Sequence, residues 1–258
     1  MTAPTGPGEH VESLAHRTAA SLRLRYRGSD GGQRFVTVDR AGEVAFEDFP
    51  PVRRIPHYRG SAHTPGEYWS ASTGNLIAYE SFLESKWMML LDFDPDVVAF
   101  CGQPFTFDGV DTDGPFIHTP DLFARRIDGS GLLLDVKNPN EIGKPDVMLQ
   151  ARRTTAACER IGWQYRMVGE PDRQPMANIA WLAGFRRPLH AGAELIAPLL
   201  TLAAQPVSLA ELLRLQPVPE LARPVVFHLL WHNRLSLDLQ QPLRETTVVH
   251  TAAGGLPR

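Results

Sequence analysis

Short stretches in which apolar and polar residues alternate recur along the first two thirds of the chain, as expected for strands with one face in a core. Residues 21–27 and 34–39 alternate in this way around a Ser-Asp-Gly-Gly turn and predict a β-hairpin. Four more strands are predicted at 97–107, 116–127, 131–137 and 163–169. The run 132–134 is three leucines without alternation, so we expect the strand at 131–137 to be central and buried on both faces.

Segments with an apolar residue at every third or fourth position predict helices between these strands. The first covers 79–92, and its apolar stripe consists of Phe82, Leu83, Trp87, Leu90 and Leu91. The second begins at Pro145 and ends near Ile161, because Gly162 is a typical helix stop. A third is predicted at 174–185. Helices interleaved with strands in this order predict an α/β protein, a mixed sheet flanked by helices.

The pattern changes after Pro188 and divides the chain. Three short helices are predicted, followed by two strands, at 190–204, 208–215, 219–232, 235–239 and 245–250. Three helices followed by a hairpin is the order of a winged helix, a variant of the helix-turn-helix. We therefore predict a disordered polar tail at 1–18, a main domain at 19–188 and a small winged-helix-like domain at 189–258.

Composition excludes few classes of protein. The chain has 258 residues, 43% hydrophobic and 21% charged, with a net charge of −3. This mild acidity argues against a strong autonomous DNA binder, although a partner could deliver such a chain to DNA. No apolar run approaches the roughly 20 residues of a membrane span, and the first residues do not resemble a secretory signal. Cys101 and Cys158 are isolated, so we expect reduced core cysteines and a cytoplasmic protein.

The residues with the clearest chemical meaning are Asp121, Asp135 and Lys137. Asp121 follows Pro120 at the start of one predicted strand, and Asp135 and Lys137 lie two apart at the end of the next. Because side chains in a strand alternate between faces, Asp135 and Lys137 should share a face. A hairpin would bring Asp121 beside them. Two carboxylates and an ammonium suit Mg²⁺ or Mn²⁺ and hydrolysis of a phosphodiester, whereas the alternative is an exposed ion pair at a strand end.

A third carboxylate is expected from the first helix. Glu84 and Glu80 lie four residues apart and would share a helix face, and we favour Glu84 as the metal ligand. His118 could hydrogen-bond a ligand or a phosphate, or be structural, and Gln103 could line the cleft.

Other polar residues have weaker interpretations. Three arginines in the proline-rich and irregular segment 42–65 could contact phosphate or simply be solvated: Arg53, Arg54 and Arg59. Asp92, Asp94 and Asp96 look like the start of an EF-hand loop, but that loop requires glycine and glutamate where Val97 and Gln103 stand. No glycine-rich phosphate loop, zinc-ligand spacing or nucleophile motif is found.

Several of these segments resemble the TnsA family, the endonuclease subunits of heteromeric, two-protein transposases. The resemblance consists of 79–84 (YESFLE), 90–98 (LLDFDPDVV), Gln103-Pro104, Pro120-Asp121 and 135–137 (DVK), and is clearest over 75–170. The helix-plus-strand block is specific, whereas Pro-Asp with Asp-x-Lys occurs in many nucleases. The sequence at 228–232 and 238–239 resembles the second domain of such proteins.

The resemblance implies a restriction-endonuclease-like fold and a PD-(D/E)xK site. The implied catalytic residues are Glu84, Asp121, Asp135 and Lys137, and the implied ligands of Mg²⁺ or Mn²⁺ are the three acids and the Val136 carbonyl. In the founding member a glutamine stands where this chain has Asp135, a change that should strengthen metal binding.

The role implied by the resemblance is cleavage of double-stranded DNA at the 5′ ends of a transposon. A partner transposase subunit would process the 3′ ends, and an ATPase regulator is a common third component. With one site per chain, cutting both strands without a partner would need a homodimer. Two other functions stay open: a stand-alone nuclease of restriction or phage defence, and a non-catalytic DNA-binding assembly subunit.

Overall fold

The computed structural model describes residues 22–53 and 64–252. The predicted tail at 1–18 lies outside these ranges, and so do Arg54 and Arg59. The described chain is a mixed α/β structure with several sheets and helices, which confirms the predicted class.

The elements are numbered here in chain order. The helices are α1 (Phe82–Phe93), α2 (Pro145–Ile161), α3 (Arg173–Leu182), α4 (Ile196–Leu202), α5 (Leu209–Arg214) and α6 (Pro219–Trp231). The first strands are β1 (Arg23–Arg27), β2 (Gln33–Thr37), β3 (Gly66–Trp69), β4 (Leu76–Tyr79), β5 (Val97–Gly102), β6 (Thr106–Asp111) and β7 (Gly114–His118). The remaining strands are β8 (Leu122–Arg126), β9 (Gly131–Val136), β10 (Gln164–Val168), β11 (Val207–Ser208), β12 (Leu235–Leu237) and β13 (Val248–Thr251).

The central sheet has the strand order β10-β9-β8-β5. Strand β9 pairs in parallel with β10 and antiparallel with β8, so the sheet is mixed, and α2 forms the crossover between the parallel pair. The first five residues of β9 are all buried, which confirms the prediction of a strand covered on both faces. The predicted hairpin near the N-terminus is also confirmed, since β1 and β2 pair antiparallel.

Two strands predicted as continuous are broken, and at each break the chain passes between the central sheet and a second, antiparallel sheet of order β2-β1-β6-β7. The segment 97–107 divides into β5 and β6 because Gln103 has a φ of 48° and Pro104 follows it. The segment 116–127 divides into β7 and β8 at 119–121, where Pro120 has no N–H to donate to a sheet. Single long strands at these two places were therefore wrong predictions.

The first helix begins later than predicted. Ser81 is its N-cap and accepts a hydrogen bond from the backbone N–H of Glu84, so Glu80 lies outside α1. The expectation that Glu80 and Glu84 share a helix face was wrong for this reason. The helix predicted at 190–204 is also shorter, because a 3₁₀ turn (Ala193–Leu195) precedes α4.

The last third of the chain packs around a separate apolar core, to which α3 and part of α1 also contribute. Buried residues of α3, α5 and α6 pack in one apolar cluster, and Met89, Leu90 and Phe93 of α1 contact it. A three-stranded sheet of order β11-β13-β12 covers this cluster. No helix in the described ranges has the length and apolarity needed to cross a bilayer.

The close packing of β9 gives a test of the fold. A Cβ on Gly131 would lie 2.6 Å from Trp163 Cδ1 and 2.8 Å from Phe123 Cε2. We expect Gly131→Ala to lower the free energy of unfolding by about 1–3 kcal/mol, because overpacked cores cost this much. Gly184→Ala is the matched control, since nothing lies within 4 Å of its would-be Cβ. Equal unfolding midpoints in urea for the two variants would contradict this packing.

Candidate active site

The carboxylate of Asp121 is fixed at the end of the β8–β9 hairpin. Strands β8 and β9 pair with Leu122 opposite Leu134, and the N–H of Asp121 donates to the Leu134 carbonyl at 3.2 Å. In return the N–H of Val136 donates to Asp121 Oδ2 at 2.7 Å. The side chain of Asp121 is therefore held against the end of β9, beside the residues that follow it.

Lys137 leaves β9 directly opposite this carboxylate. Its N–H donates to the Val168 carbonyl at 2.8 Å, which holds the residue against β10. Its Nζ lies 3.7 Å from Asp121 Oδ2, and the two side chains are 21% and 19% exposed. The pair therefore lies at the end of the two interior strands, with partial access to solvent, where a substrate could reach it.

Asp135 is almost completely buried and is held by two side chains. His118 Nε2 lies 2.8 Å from Asp135 Oδ2, and the hydroxyl of Tyr165 donates to the same oxygen at 2.8 Å. His118 ends β7 in the second sheet, so the contact joins the two sheets. Of the two interpretations of His118, contact with a ligand or phosphate and a structural role, the geometry fits the second, because the buried ring holds the Asp135 carboxylate.

Glu84 is buried in the first turn of α1, and its carboxylate is held by groups at the N-terminus of that helix. Its Oε1 accepts from the Ser81 hydroxyl at 2.9 Å, and its Oε2 accepts from the Glu80 N–H at 2.9 Å. Both carboxylate oxygens of Glu84 therefore take part in the hydrogen bonds at the start of α1.

Glu80 has different partners. Its Oε1 lies 2.9 Å from an Arg53 nitrogen and 2.6 Å from Gln103 Nε2. Of the three arginines in the irregular segment, Arg53 is the one within the described residues, and its partner there is this carboxylate. Glu84 remains the preferred candidate for the helix carboxylate, because its charge acts on Asp121.

The acidic groups influence one another electrostatically. Burial raises the pKa of Asp121 to about 7, even though the Lys137 ammonium lowers it. The charges of Asp135 and Glu84 also raise the pKa of Asp121, so the four predicted catalytic residues share one electrostatic neighbourhood.

Asp135 differs from Asp121 in this respect. Burial alone would raise the pKa of Asp135, but the hydrogen bond and charge of His118 and the charge of Lys137 keep that pKa below its usual value. One acid is thus ionised at neutral pH, and Asp121 is close to its midpoint. Two neighbouring carboxyl groups whose pKa values are shifted apart in this way are typical of catalytic sites.

The side chains of this site present oxygen atoms, the donors that Mg²⁺ and Mn²⁺ prefer. No three carboxylate, histidine or cysteine side chains in residues 22–53 and 64–252 form a ready-made metal cluster, so the expected three-acid cluster is not assembled there. Mg²⁺ commonly takes one or two carboxylates and completes its shell with waters and substrate phosphates. Asp121 and Asp135 supply such oxygens, and the amide oxygen of Gln103 is buried without a partner. These donors fit Mg²⁺ or Mn²⁺.

Two residues of this site were missed from the sequence. Ser81 could have been found, because Ser-x-x-Glu at 81–84 is the pattern of a capping box. Tyr165 gave no local signal, since it meets Asp135 only through the parallel pairing of β10 with β9.

Asp92 is structural, in agreement with the rejection of an EF-hand. It is buried and accepts hydrogen bonds from Tyr68, Ser70 and the backbone N–H groups of Ala71 and Ser72. Cys101 and Cys158 are both free and buried, as expected of reduced core cysteines.

Searches of the sequence against protein-family models and against curated proteins find no match to either.

Proposed function

We propose that this chain is a metal-dependent DNA endonuclease with a restriction-endonuclease-like core. The observation that carries the proposal is the arrangement at the end of the β8–β9 hairpin. There Asp121 Oδ2 accepts from the Val136 N–H and lies 3.7 Å from Lys137 Nζ, next to a second buried acid, Asp135. A lysine beside two acids at a strand edge suits hydrolysis of a phosphodiester.

The topology supports this class of fold. A helix, α1, precedes the antiparallel strands β5, β8 and β9, and α2 then leads to the parallel strand β10. In this order Asp121, Asp135 and Lys137 come together at one end of the central strands, and Glu84 lies in the first turn of α1. Nucleases of the kind that the TnsA resemblance implies have the same order.

In the proposed mechanism Asp121, Asp135 and the Val136 carbonyl would hold one or two divalent cations, with the charge of Glu84 acting on Asp121. When bound, the cation lowers the pKa of a coordinated water and offsets charge on the phosphate. Lys137 donates hydrogen bonds that orient the attacking water and neutralise the phosphate. His118 and Tyr165 fix the orientation of Asp135, as partners of metal ligands commonly do. The products would carry a 5′-phosphate and a 3′-hydroxyl.

We further propose that the chain is a TnsA-like subunit that cuts the 5′ ends of a transposon. Its other partners would be a transposase subunit that processes the 3′ ends and an ATPase regulator. With one candidate site per chain, cleavage of both strands by this chain alone would require two copies.

The C-terminal region argues against a role in DNA binding alone. Its elements follow the order expected of a winged helix, in which the third helix, α6, would enter the major groove. Most of α6 is buried, including Val226, Leu230 and Trp231, and it packs against α1 and α3. This helix is therefore used to build the core, and the acidic site is the better candidate for contact with the reacting DNA.

The proposal is tested by nicking of supercoiled plasmid with the purified chain. We expect strand cleavage that requires Mg²⁺ or Mn²⁺ and stops with EDTA, either by the chain alone or after a matching transposase is added. Cleavage without any partner would favour the stand-alone nuclease. No cleavage of plasmid or of transposon-end DNA, with either metal and with the transposase present, would contradict the proposal.

The choice between the two helix acids gives a further prediction. We expect Glu84→Gln to reduce the cleavage rate by about 10²-fold, because the charge near Asp121 is lost while an oxygen remains to accept from Glu80 N–H. Glu80→Gln is the matched control and should change the rate less than about threefold. Initial rates on one plasmid substrate compare them, and an equal loss in both variants would show that Glu84 has no special role.

A further inference from the structure

Gln103 has a backbone conformation that its residue type disfavours. Its φ is 48°, in the left-handed region that favours glycine, and it lies where the chain passes from β5 to β6. Its N–H donates to the Asp121 carbonyl at 2.8 Å, and its carbonyl accepts from the Val52 N–H at 2.9 Å. The unusual backbone is therefore attached directly to the segment that carries Asp121.

A hydrogen bond to Glu80 fixes the orientation of the Gln103 side-chain amide. Its Nε2 donates to Glu80 Oε1 at 2.6 Å, so the opposite amide orientation would place two oxygens against each other. Glu80 in turn donates its N–H to Glu84. Gln103 thus connects the Asp121 segment to the N-terminus of α1, the two parts of the candidate site.

The amide oxygen of Gln103 is left without a partner. Gln103 is 3% exposed, and among the buried side-chain oxygen and nitrogen atoms of residues 22–53 and 64–252, only its Oε1 lacks a hydrogen bond. An unpaired buried acceptor lowers stability, and so does a positive φ outside glycine. Glycine at this position would relieve both costs. Two costs in one residue beside Asp121 indicate a ligand for the oxygen.

We propose that Gln103 Oε1 accepts a hydrogen bond from a hydration water of the divalent cation held at Asp121. This inference rests on the proposed metal-dependent function. A neutral amide oxygen is a hard acceptor suited to the shell of Mg²⁺ or Mn²⁺, which usually retains several waters. Gln103 is then a positioning residue of the metal site, because its amide oxygen would orient a water of the shell without itself being a ligand.

The test is calorimetric titration of the full chain with MnCl₂, free of DNA. We expect Gln103→Gly and Gln103→Met to bind Mn²⁺ about tenfold more weakly than the wild type, as is common when a partner of a metal shell is removed. Gly tolerates the positive φ, so Gln103→Gly should fold even if Gln103→Met does not. Asn233→Gly is the matched control, because Asn233 is the other non-glycine residue of 22–53 and 64–252 with a positive φ, of 52°, and lies outside the site. It should keep the wild-type affinity within about twofold.

A second readout separates a metal-positioning role from a structural one. Without metal, Gln103→Gly should unfold at the same temperature as the wild type or higher, because both costs are removed. Wild-type Mn²⁺ affinity in Gln103→Gly would overturn the inference and leave the proposed nuclease intact. No Mn²⁺ binding by the wild-type chain would overturn both.

Discussion

Replacement of Lys137 by alanine is expected to reduce DNA cleavage by at least about 10³-fold. The Lys137 ammonium lies 3.7 Å from Asp121 Oδ2 and is the cation nearest to that carboxylate among the described ion pairs. Its removal takes away both the donor that orients the attacking water and the charge that offsets the phosphate. Losses of this size follow removal of one donor aimed at developing charge.

Two comparisons make this prediction specific to the site. Lys144→Ala removes an exposed lysine at the start of α2 and should leave the rate unchanged. Mn²⁺ binding by Lys137→Ala should be retained or become tighter, because a positive charge beside the acids is lost. Wild-type cleavage by Lys137→Ala would contradict the assignment of this lysine.

Asp121→Asn is expected to stabilise the metal-free protein at pH 8 while it abolishes cleavage. The pKa of Asp121 is about 7 in the folded chain, well above the usual value of 3.8. Between about pH 4 and pH 7 the folded state therefore binds more protons than the unfolded state, and the stability of the wild type falls as pH rises. Asparagine resembles the protonated acid and avoids this loss, so we expect a gain of about 2 kcal/mol at pH 8.

The same substitution should abolish the stabilisation of the folded protein by metal. Mn²⁺ is expected to bind the ionised wild-type site and to raise its unfolding temperature by mass action, whereas Asp121→Asn should show almost no rise. The measurement is thermal unfolding at pH 5 and pH 8, with EDTA or with Mn²⁺. At pH 5 the two proteins should differ less than at pH 8. If Asp121→Asn is less stable than the wild type at pH 8 in EDTA, folding does not raise the pKa of Asp121 and this account of the site is wrong.

The parts of the fold that could be predicted are those with a strong local signal. The alternation at 21–27 and 34–39 identified β1 and β2, and the run of leucines identified β9 as a buried strand. The breaks at Gln103 and at 119–121 were missed because the apolar pattern continues across both. What interrupts the strands there is a single backbone angle in one case and a proline at a change of sheet in the other, and neither alters the pattern of hydrophobicity.

In the candidate site, too, the contacts with a local sequence signal were predictable and the long-range contacts were not. The spacing of Asp121, Asp135 and Lys137 was readable because a hairpin brings them together from nearby positions in the chain. The contacts of His118 and Tyr165 with Asp135 were not readable, because they depend on how two sheets and a parallel crossover pack. The N-cap role of Ser81 shifted the start of α1 and separated Glu80 from Glu84, although the capping pattern was present in the sequence.

The most direct test of the metal site is anomalous scattering from Mn²⁺ in crystals of this chain. We expect an anomalous peak about 2–2.5 Å from a carboxylate oxygen of Asp121, with Asp135 and the Val136 carbonyl among the nearest protein oxygens. A peak at that position would connect the hairpin acids to the cation that the proposed cleavage requires. Crystals with Mn²⁺ bound elsewhere and none at Asp121, or with no Mn²⁺ bound at all, would contradict the proposed nuclease site.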